Sequence, residues 1–528
     1  MKQATSDILN MSHYRIEKMK VRQKSKTEEF LMIIGVPMAL IAYVFIMYVL
    51  DLNFLNHIDA TQLGKTATKQ LNTIGMISFI ETNRAMLAIF VAALILWITE
   101  AIPNYLTSLI LIVTLVLTKV LPEDTAYAQL GHKVMWLNIL SFILASMLVA
   151  TGVAKRFALW FILKFGKNAS SIFLSFIVIN TVLALFISAT TAKATILLPI
   201  FMVVAAVYGA SDGKRNNFGR NIVLQNLLHI NMSASGFLTG SGANLLAASL
   251  IAGSIGTEVF FSDWMMAAFP TAMILMFLGW LVGTRIFFPL SKDEQLPNIE
   301  GGLDSLREEL HKMGQMGFEE FKAIAIFTAI IGFWATDSYH GISPTAVAFV
   351  GAIVALLPKV GIVKWNDVDI PWHLLLFSAG AYTLGAGLSI TDLPNTLVNY
   401  SFIKLGISEG TPFWMIYILL TGAMIFSSLI FQSKTMRTMI FIPIGIGVAN
   451  RLGFDALSLA LPLSLLIEHV YTLPFNSKPA ILLYATDHYS WTDTFKFGIT
   501  MQFLAWMLSI LMAMTYFKWL GITPNGLF

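Results

Sequence analysis

From Phe30 to Leu50 the chain reads FLMIIGVPMALIAYVFIMYVL, twenty-one residues without a charged side chain. At about 1.5 Å per residue, a run of this length crosses the roughly 30 Å hydrocarbon layer of a bilayer as one helix. Further apolar segments follow near 84–99, 103–121, 136–165, 170–187, 190–209, 222–252 and 264–290. A second series runs near 322–336, 343–358, 371–390, 412–431, 435–450, 456–474 and 495–517. We count about eleven spans, with several segments too short or too broken to cross. The 528 residues are 56% hydrophobic and 12% charged, and their mean hydropathy of +0.73 leaves too little polar surface for a soluble fold. The expected fold class is an all-α polytopic membrane protein. Cysteine is absent, which excludes disulfides and cysteine metal sites.

The charges are few, so their distribution matters more than the net value of +4. Seven Lys/Arg lie between Lys2 and Lys26, which predicts a cytoplasmic N-terminal tail over residues 1–29 in a plasma-membrane protein. The tail is too long and too mixed in charge for a cleavable signal. Residues 291–322 hold Lys292, Arg307, Lys312 and Lys322 against eight acidic residues, with Gly301 and Gly302 among them. That segment predicts a polar linker with an amphipathic helix. It separates a first half, 30–290, from a second, 323–528.

The halves repeat. Ala189 laid over Ser433, 244 residues apart, sets ATTAKATILLP on SKTMRTMIFIP, so that Thr191 meets Thr435, Lys193 meets Arg437 and Pro199 meets Pro443. Other pairs follow in chain order: Pro103 with Pro344, Lys119 with Lys359, Trp136 with Trp372, and His229 with His469. GSGANLL at 240–246 meets NSKPAIL at 476–482. With an odd number of spans in each half, the two insert as inverted repeats. Secondary transporters are commonly built this way, with substrate bound at the midplane between broken helices.

In each repeat small hydroxyl residues precede a cation: Thr190, Thr191 and Lys193 in the first, Ser433, Thr435 and Arg437 in the second, with Lys434 inside the second motif. Non-helical backbone survives at membrane depth only where it is buried or lines a polar cavity. A helix that restarts there aims N–H groups and a positive dipole end at that cavity, which suits a carboxylate. A central Lys or Arg costs roughly 2.5–3.5 kcal/mol to insert, so Lys193, Lys434 and Arg437 need partners, and an anionic substrate is one. The alternative for each is to snorkel towards an interface.

These motifs resemble the divalent anion/sodium symporter family of dicarboxylate and citrate carriers. Its Ser-Asn-Thr motif, followed by Pro, is matched by Ala189-Thr190-Thr191 (or, one residue earlier, Ser188-Ala189-Thr190) and by Ser433-Lys434-Thr435. TEAIP at 99–103 also looks like a family signature. TGSGANLL at 239–246 and YTLPFNSKPAILLYATDHYSWTDTFKFG at 471–498 look most like the 2-oxoglutarate/malate and citrate/succinate antiporter branch. The resemblance runs from about Arg84 onward. It implies a homodimer, a scaffold and a moving transport domain interleaved across both repeats, elevator-type motion, and re-entrant hairpins at Trp136–Phe165 and Trp372–Leu393. It places substrate contacts at Ala189, Thr190, Thr191, Ser241, Asn244, Ser433, Lys434, Thr435, Asn476 and Ser477, and implies no cofactor.

The departures point to mechanism. In sodium-coupled members the motif Asn helps to hold sodium, and here those positions are Thr190 and Lys434. An ammonium group repels sodium and supplies no oxygen ligand, so Lys434 stands in place of one ion. A fixed cation makes movement of the empty carrier unfavourable. The expected activity is therefore sodium-independent exchange of C4/C5 dicarboxylates: succinate, malate, fumarate and 2-oxoglutarate. The rival is a sodium- or proton-coupled dicarboxylate or citrate symporter, with Ser188, Thr190 and Asn244 keeping one sodium site.

Other residues are weaker candidates. His229 and His469 suit a proton site or a histidine bonded to a backbone carbonyl. Glu468 suits a proton relay with His469 or a pair with a lysine, and Glu100 a helix junction. No metal-ligand spacing, Gly-x-Ser-x-Gly elbow or Walker-type loop occurs, which argues against an enzyme. A channel has no need of a repeated broken-helix site around a fixed cation.

Overall fold

A computed structural model describes residues 26–523 apart from 59, 61–62, 211–214, 298–302, 369, 406–410 and 432. Most of the basic tail, with Gly301 and Gly302 of the linker, lies outside the described residues. Among those described there is no strand. Among the described residues seven helices are long and apolar enough to cross a membrane by length and composition, and five further apolar helices are shorter. The protein is an all-helical polytopic membrane protein.

The main helices are α1 (Lys26–Val44), α2 (Met76–Thr99), α3 (Asn104–Leu117), α4 (Lys133–Thr151), α5 (Val153–Phe165), α6 (Ala169–Phe186), α7 (Thr190–Val207), α8 (Asn217–Ser235), α9 (Gly242–Ile255) and α10 (Phe261–Val282). After the linker helix α11 (Asp304–Lys312) come α12 (Phe318–Ala335), α13 (Pro344–Leu356), α14 (Trp372–Thr391), α15 (Leu393–Leu405), α16 (Phe413–Phe426), α17 (Lys434–Arg451), α18 (Leu457–Leu465), α19 (Lys478–Tyr484) and α20 (Trp491–Met514). The order α2–α10 thus recurs as α12–α20.

Backbone conformation repeats with it. Left-handed residues stand at Glu100 and Gly341, at Lys119 and Lys359, at Gly152 and Asp392, at Gly209 and Gly453, and at Gly256 and Asp487. The members of these pairs are 241, 240, 240, 244 and 231 residues apart and occupy equivalent junctions. A positive φ costs a non-glycine residue energy, so its return at matched positions reflects a shared architecture. Glu100, weighed above as a junction residue, occupies one such turn between α2 and α3.

Close helix crossings explain the small residues. A Cβ on Gly380 of α14 would lie 2.3 Å from the Ser108 Cβ of α3, and one on Gly387 would lie 2.8 Å from Met86 Sδ of α2. Ser108 Oγ donates to the Phe377 carbonyl at 3.2 Å across the same contact. Small residues let helix backbones approach where apolar driving force is absent. Over the expected hairpin stretch Trp372–Leu393 the chain is the helix α14, whose glycines make room for neighbours; the left-handed turn comes at Asp392, and α15 follows it out to Leu405. In Trp136–Phe165 the one interruption is Gly152, between α4 and α5. The linker helix α11 is tied to α5 through Glu309 and Lys155 at 3.0 Å, and Glu320 of α12 meets Arg156 of α5 at 2.7 Å.

Gly380→Ala is expected to cost about 1–3 kcal/mol by overpacking the α3–α14 crossing. The measurement is the thermal midpoint of the purified protein in detergent. An unchanged midpoint would mean that this crossing relaxes freely.

Candidate functional site

Four helices begin at internal breaks in the chain, with Thr190 and Lys434 half-buried and Gly242 and Lys478 exposed at their starts, and the sequence repeat pairs them. α6 stops at Phe186 and α7 restarts at Thr190 after Ala189, whose φ and ψ are −90° and 112°. α16 gives way to a 3-10 turn, and α17 restarts at Lys434 after Ser433, at −89° and 119°. The second pair is as closely matched: Ser241 before α9 sits at −157° and 156°, and Ser477 before α19 at −159° and 160°. Ser241, Ser433 and Ser477 accept from Asn244, Met436 and Ala480 backbone N–H groups, each at 3.3 Å. These caps meet N–H groups that a helix start leaves open. Ala189 carries no such oxygen, so the α7 start has no side-chain cap.

The halves interlock here. α9 of the first packs on α17 of the second, and α19 of the second on α7 of the first. The C-terminal ends of α8 and α18 meet where Ser235 Oγ donates to the Leu465 carbonyl at 3.1 Å. In the loop after α8, a Cβ on Gly240 would lie 2.1 Å from the Ala234 carbonyl oxygen, so only glycine lets this segment fold back on the helix end.

The two matched cations are structural ties. Lys193 is fully buried, and its Nζ donates to the Ile230 carbonyl at 3.0 Å and to Ser233 Oγ at 3.1 Å. Arg437, also fully buried, donates to Ser427 Oγ at 2.9 Å, to the Ile467 carbonyl at 2.9 Å, to the Leu466 carbonyl at 3.2 Å, and to the Met424 carbonyl. Each cation therefore reaches carbonyls towards or beyond the end of the helix that precedes the second break. Positive charge is favourable near a helix C-terminus; Leu466 and Ile467 lie beyond α18, whereas Ile230 lies five residues before the end of α8. Neither side chain snorkels, since the carbonyls of the broken helices hold both inside.

Lys434 has a protein counter-ion. Its Nζ pairs with Glu468 Oε2 and donates to Asn231 Oδ1 at 3.0 Å. The other carboxylate oxygen, Oε1, accepts from Ser241 Oγ at 2.6 Å. Glu468 is completely buried, whereas the Lys434 side chain is 15% exposed. One carboxylate thus joins the α9 cap of the first half to the α17 start of the second. Of the two roles open to Glu468, it takes the pair with a lysine. His469 is instead bonded to the Tyr471 hydroxyl at 2.7 Å, and His229 lies buried in α8. The expectation that Lys434 stands as a cation without a counter-charge is corrected: α18 ends just before Glu468 and delivers it to the ammonium group.

Thr190, Thr191, Ser433, Thr435 and Ser477 are half-buried at the helix starts. Asn244 donates to the Ala234 and Phe237 carbonyls, both at 3.0 Å, and Asn476 to the Ser428 carbonyl at 2.6 Å. The Oδ1 of each amide is buried without a hydrogen-bond donor. Among the described residues no group of three His, Asp or Glu side chains is placed to hold a metal. Sequence reasoning missed Asn231 and Ser233. The signal available was the polar run HINMSAS in a fully buried helix.

A polytopic helical protein with paired helix breaks and buried charge at its centre is built as a membrane transporter. Residues 77–523 match the family described as the sodium:sulfate symporter transmembrane region, from the start of α2 past the end of α20. The chain belongs to this family of transporters, and it is not an enzyme. It is 26% identical over 470 residues to a protein of Staphylococcus saprophyticus named sodium-dependent dicarboxylate transporter SdcS, covering 84% of this chain and 88% of that one. The Staphylococcus aureus (strain USA300) protein of the same name is 24% identical over 437 residues, covering 79% and 82%. A Cupriavidus necator protein named only as a membrane protein is 24% identical over 460 residues, covering 83% and 88%.

Arg437 supports more carbonyls than Lys193, and each carbonyl losing a charged donor costs about 1–3 kcal/mol. Arg437→Met is therefore expected to lower the thermal midpoint further than Lys193→Met. The reverse order would count against the tie between α17 and the end of α18.

Proposed function

We propose that this chain is a secondary transporter that exchanges four- and five-carbon dicarboxylates without sodium. The observation that carries the reading is the charge at the breaks. Lys193, Lys434 and Arg437 against Glu468 leave a formal surplus of two positive charges in the protein interior. A dicarboxylate carries two negative ones. Moving the empty site through a low-dielectric barrier would move that surplus uncompensated, which is unfavourable, whereas the loaded site is neutral. Exchange then rests on the whole charged cluster and not on Lys434 alone.

In this reading the repeated halves are inverted and the breaks lie near the midplane. Thr190 and Thr191, with the Ala189 backbone, serve one carboxylate. Ser433, Lys434 and Thr435 serve the other, and Ser241, Asn244, Asn476 and Ser477 complete the walls. The re-entrant hairpins are α4–α5, turning at Gly152, and α14–α15, turning at Asp392, while the breaks of α6–α7 and α16–α17 carry the hydroxyl and cation motifs. Elevator motion of a transport domain against a scaffold carries the site across. The protein works as a homodimer in the plasma membrane with its N-terminus cytoplasmic, and residues 291–322 link its halves.

A second reading is sodium coupling. The names of the relatives favour it, and so does the buried Oδ1 of Asn244, which lacks a donor and is the kind of ligand a hard cation needs. Labelled succinate uptake into proteoliposomes, with and without internal dicarboxylate and in sodium or choline buffer, separates the two. We expect uptake that requires internal dicarboxylate and is the same in both buffers. Sodium-driven uptake into empty vesicles would replace exchange with symport.

A further inference from the structure

Glu468 stands out from the rest of the site. It is a carboxylate, the one group type that an anion-binding cavity should avoid, and it is completely buried. It is also fully engaged, with Lys434 on one oxygen and Ser241 on the other. A buried ion pair is weak evidence for stability, because desolvating two charges offsets much of their attraction. A second partner for Lys434 is already in place, since Asn231 Oδ1 lies 3.0 Å from the ammonium nitrogen. Holding Lys434 therefore does not by itself require a carboxylate.

What Glu468 changes is the total. Without it, the buried Lys193 and Arg437 and the half-buried Lys434 would present a formal charge of three; with it they present two. Four other lysine and aspartate side chains on the neighbouring segments are exposed or held by partners of their own. Lys478 at the α19 start is exposed. Asp487 pairs with Arg215, and Asp493 with Arg220 at 3.3 Å, beyond the far end of α19. Asp392 is held by the Gly64 N–H and by Asn395, whose side chain packs beside Gly447 some three turns along α17 from Lys434.

We propose that Glu468 is a specificity-determining residue which sets the charge of the anion that the carrier accepts. It cancels one of three fixed cations and so matches the site to a dianion over a trianion or a monoanion. The proposal rests on the dicarboxylate reading above and deepens it. Specificity is a difference between affinities, and in a water-poor site one unmatched charge is a large difference. Glu468→Gln keeps the shape and an oxygen for Ser241 but raises the surplus to three. Lys434→Gln lowers it to one. The double substitution restores two, with both ionic partners gone.

The test is competition against labelled succinate in exchange-loaded proteoliposomes, at a mildly alkaline pH where every carboxyl is ionised. The competitors are succinate, its chain-length analogue butyrate, and propane-1,2,3-tricarboxylate. Glu468→Gln should raise the preference for tricarboxylate over succinate by about tenfold. Lys434→Gln should move preference towards butyrate, and the double substitution should return it to succinate.

Preferences that stay within twofold of the parent in both single variants would overturn the proposal, as would a double variant that keeps the preference of either single one. Where a variant does not transport, the same three anions are ranked by their shift of its thermal midpoint. An unchanged ranking there, or a variant that does not fold while the double variant folds with no preference for dianions, overturns it equally. A parent protein that exchanges no dicarboxylate at all would instead defeat the functional reading on which the proposal rests.

Discussion

Every helix that starts or stops within this protein leaves backbone groups without intrahelical partners, and the site is organised around meeting that demand. N–H groups at three of the four paired starts are met by Ser241, Ser433 and Ser477. The Leu466 and Ile467 carbonyls beyond α18 are met by Arg437, and the Ala234 carbonyl at the end of α8 by Asn244, while Lys193 adds a charged donor to Ile230 within α8. Backbone satisfaction is the strongest constraint on structure at membrane depth, and here it explains cations that a hydropathy argument alone would place elsewhere. Charge is present because broken helices are present, and carbonyls beyond a helix end are good partners for it.

The same demand produces an asymmetry between the halves. At the first motif the cap position is Ala189, and the position that aligns with Lys434 is Thr190, so the α7 start keeps its N–H groups open. At the second, Ser433 caps the helix and Lys434 adds an ammonium group, which Glu468 then answers. One break offers backbone donors and hydroxyls, while the other offers a charge already half satisfied by the protein. A repeated order of elements thus frames a site whose two breaks differ chemically. Glu468 extends this asymmetry across the molecule, since it holds a cap of the first half and a cation of the second.

Much of this was legible in the residues. Offsets of 244 and 236 predicted that Ala189 matches Ser433 and Ser241 matches Ser477, and these pairs share backbone angles to within a few degrees. The left-handed pairs at Gly152 and Asp392, and at Glu100 and Gly341, were less visible. A position that needs positive φ can be glycine in one half and acidic in the other. The glycines of α14 are ambiguous for a related reason. The same absence of a side chain permits a turn or a close crossing, and only the neighbour, Ser108 or Met86, decides which.

Sequence by itself determined that the chain is a helical membrane protein, that its halves repeat, and where its helices break, because apolar length, spacing and capping residues are local properties. Tertiary structure decided what the charges do. Lys193 and Arg437 turn inwards to carbonyls more than thirty or about thirty residues away, and Glu468 reaches Ser241 across 227 residues of chain. Whether a buried charge is free for a ligand or already matched depends on which groups other helices bring within hydrogen-bond distance. No spacing along the chain specifies that, because the partners come from elements whose order in sequence is not their order in space.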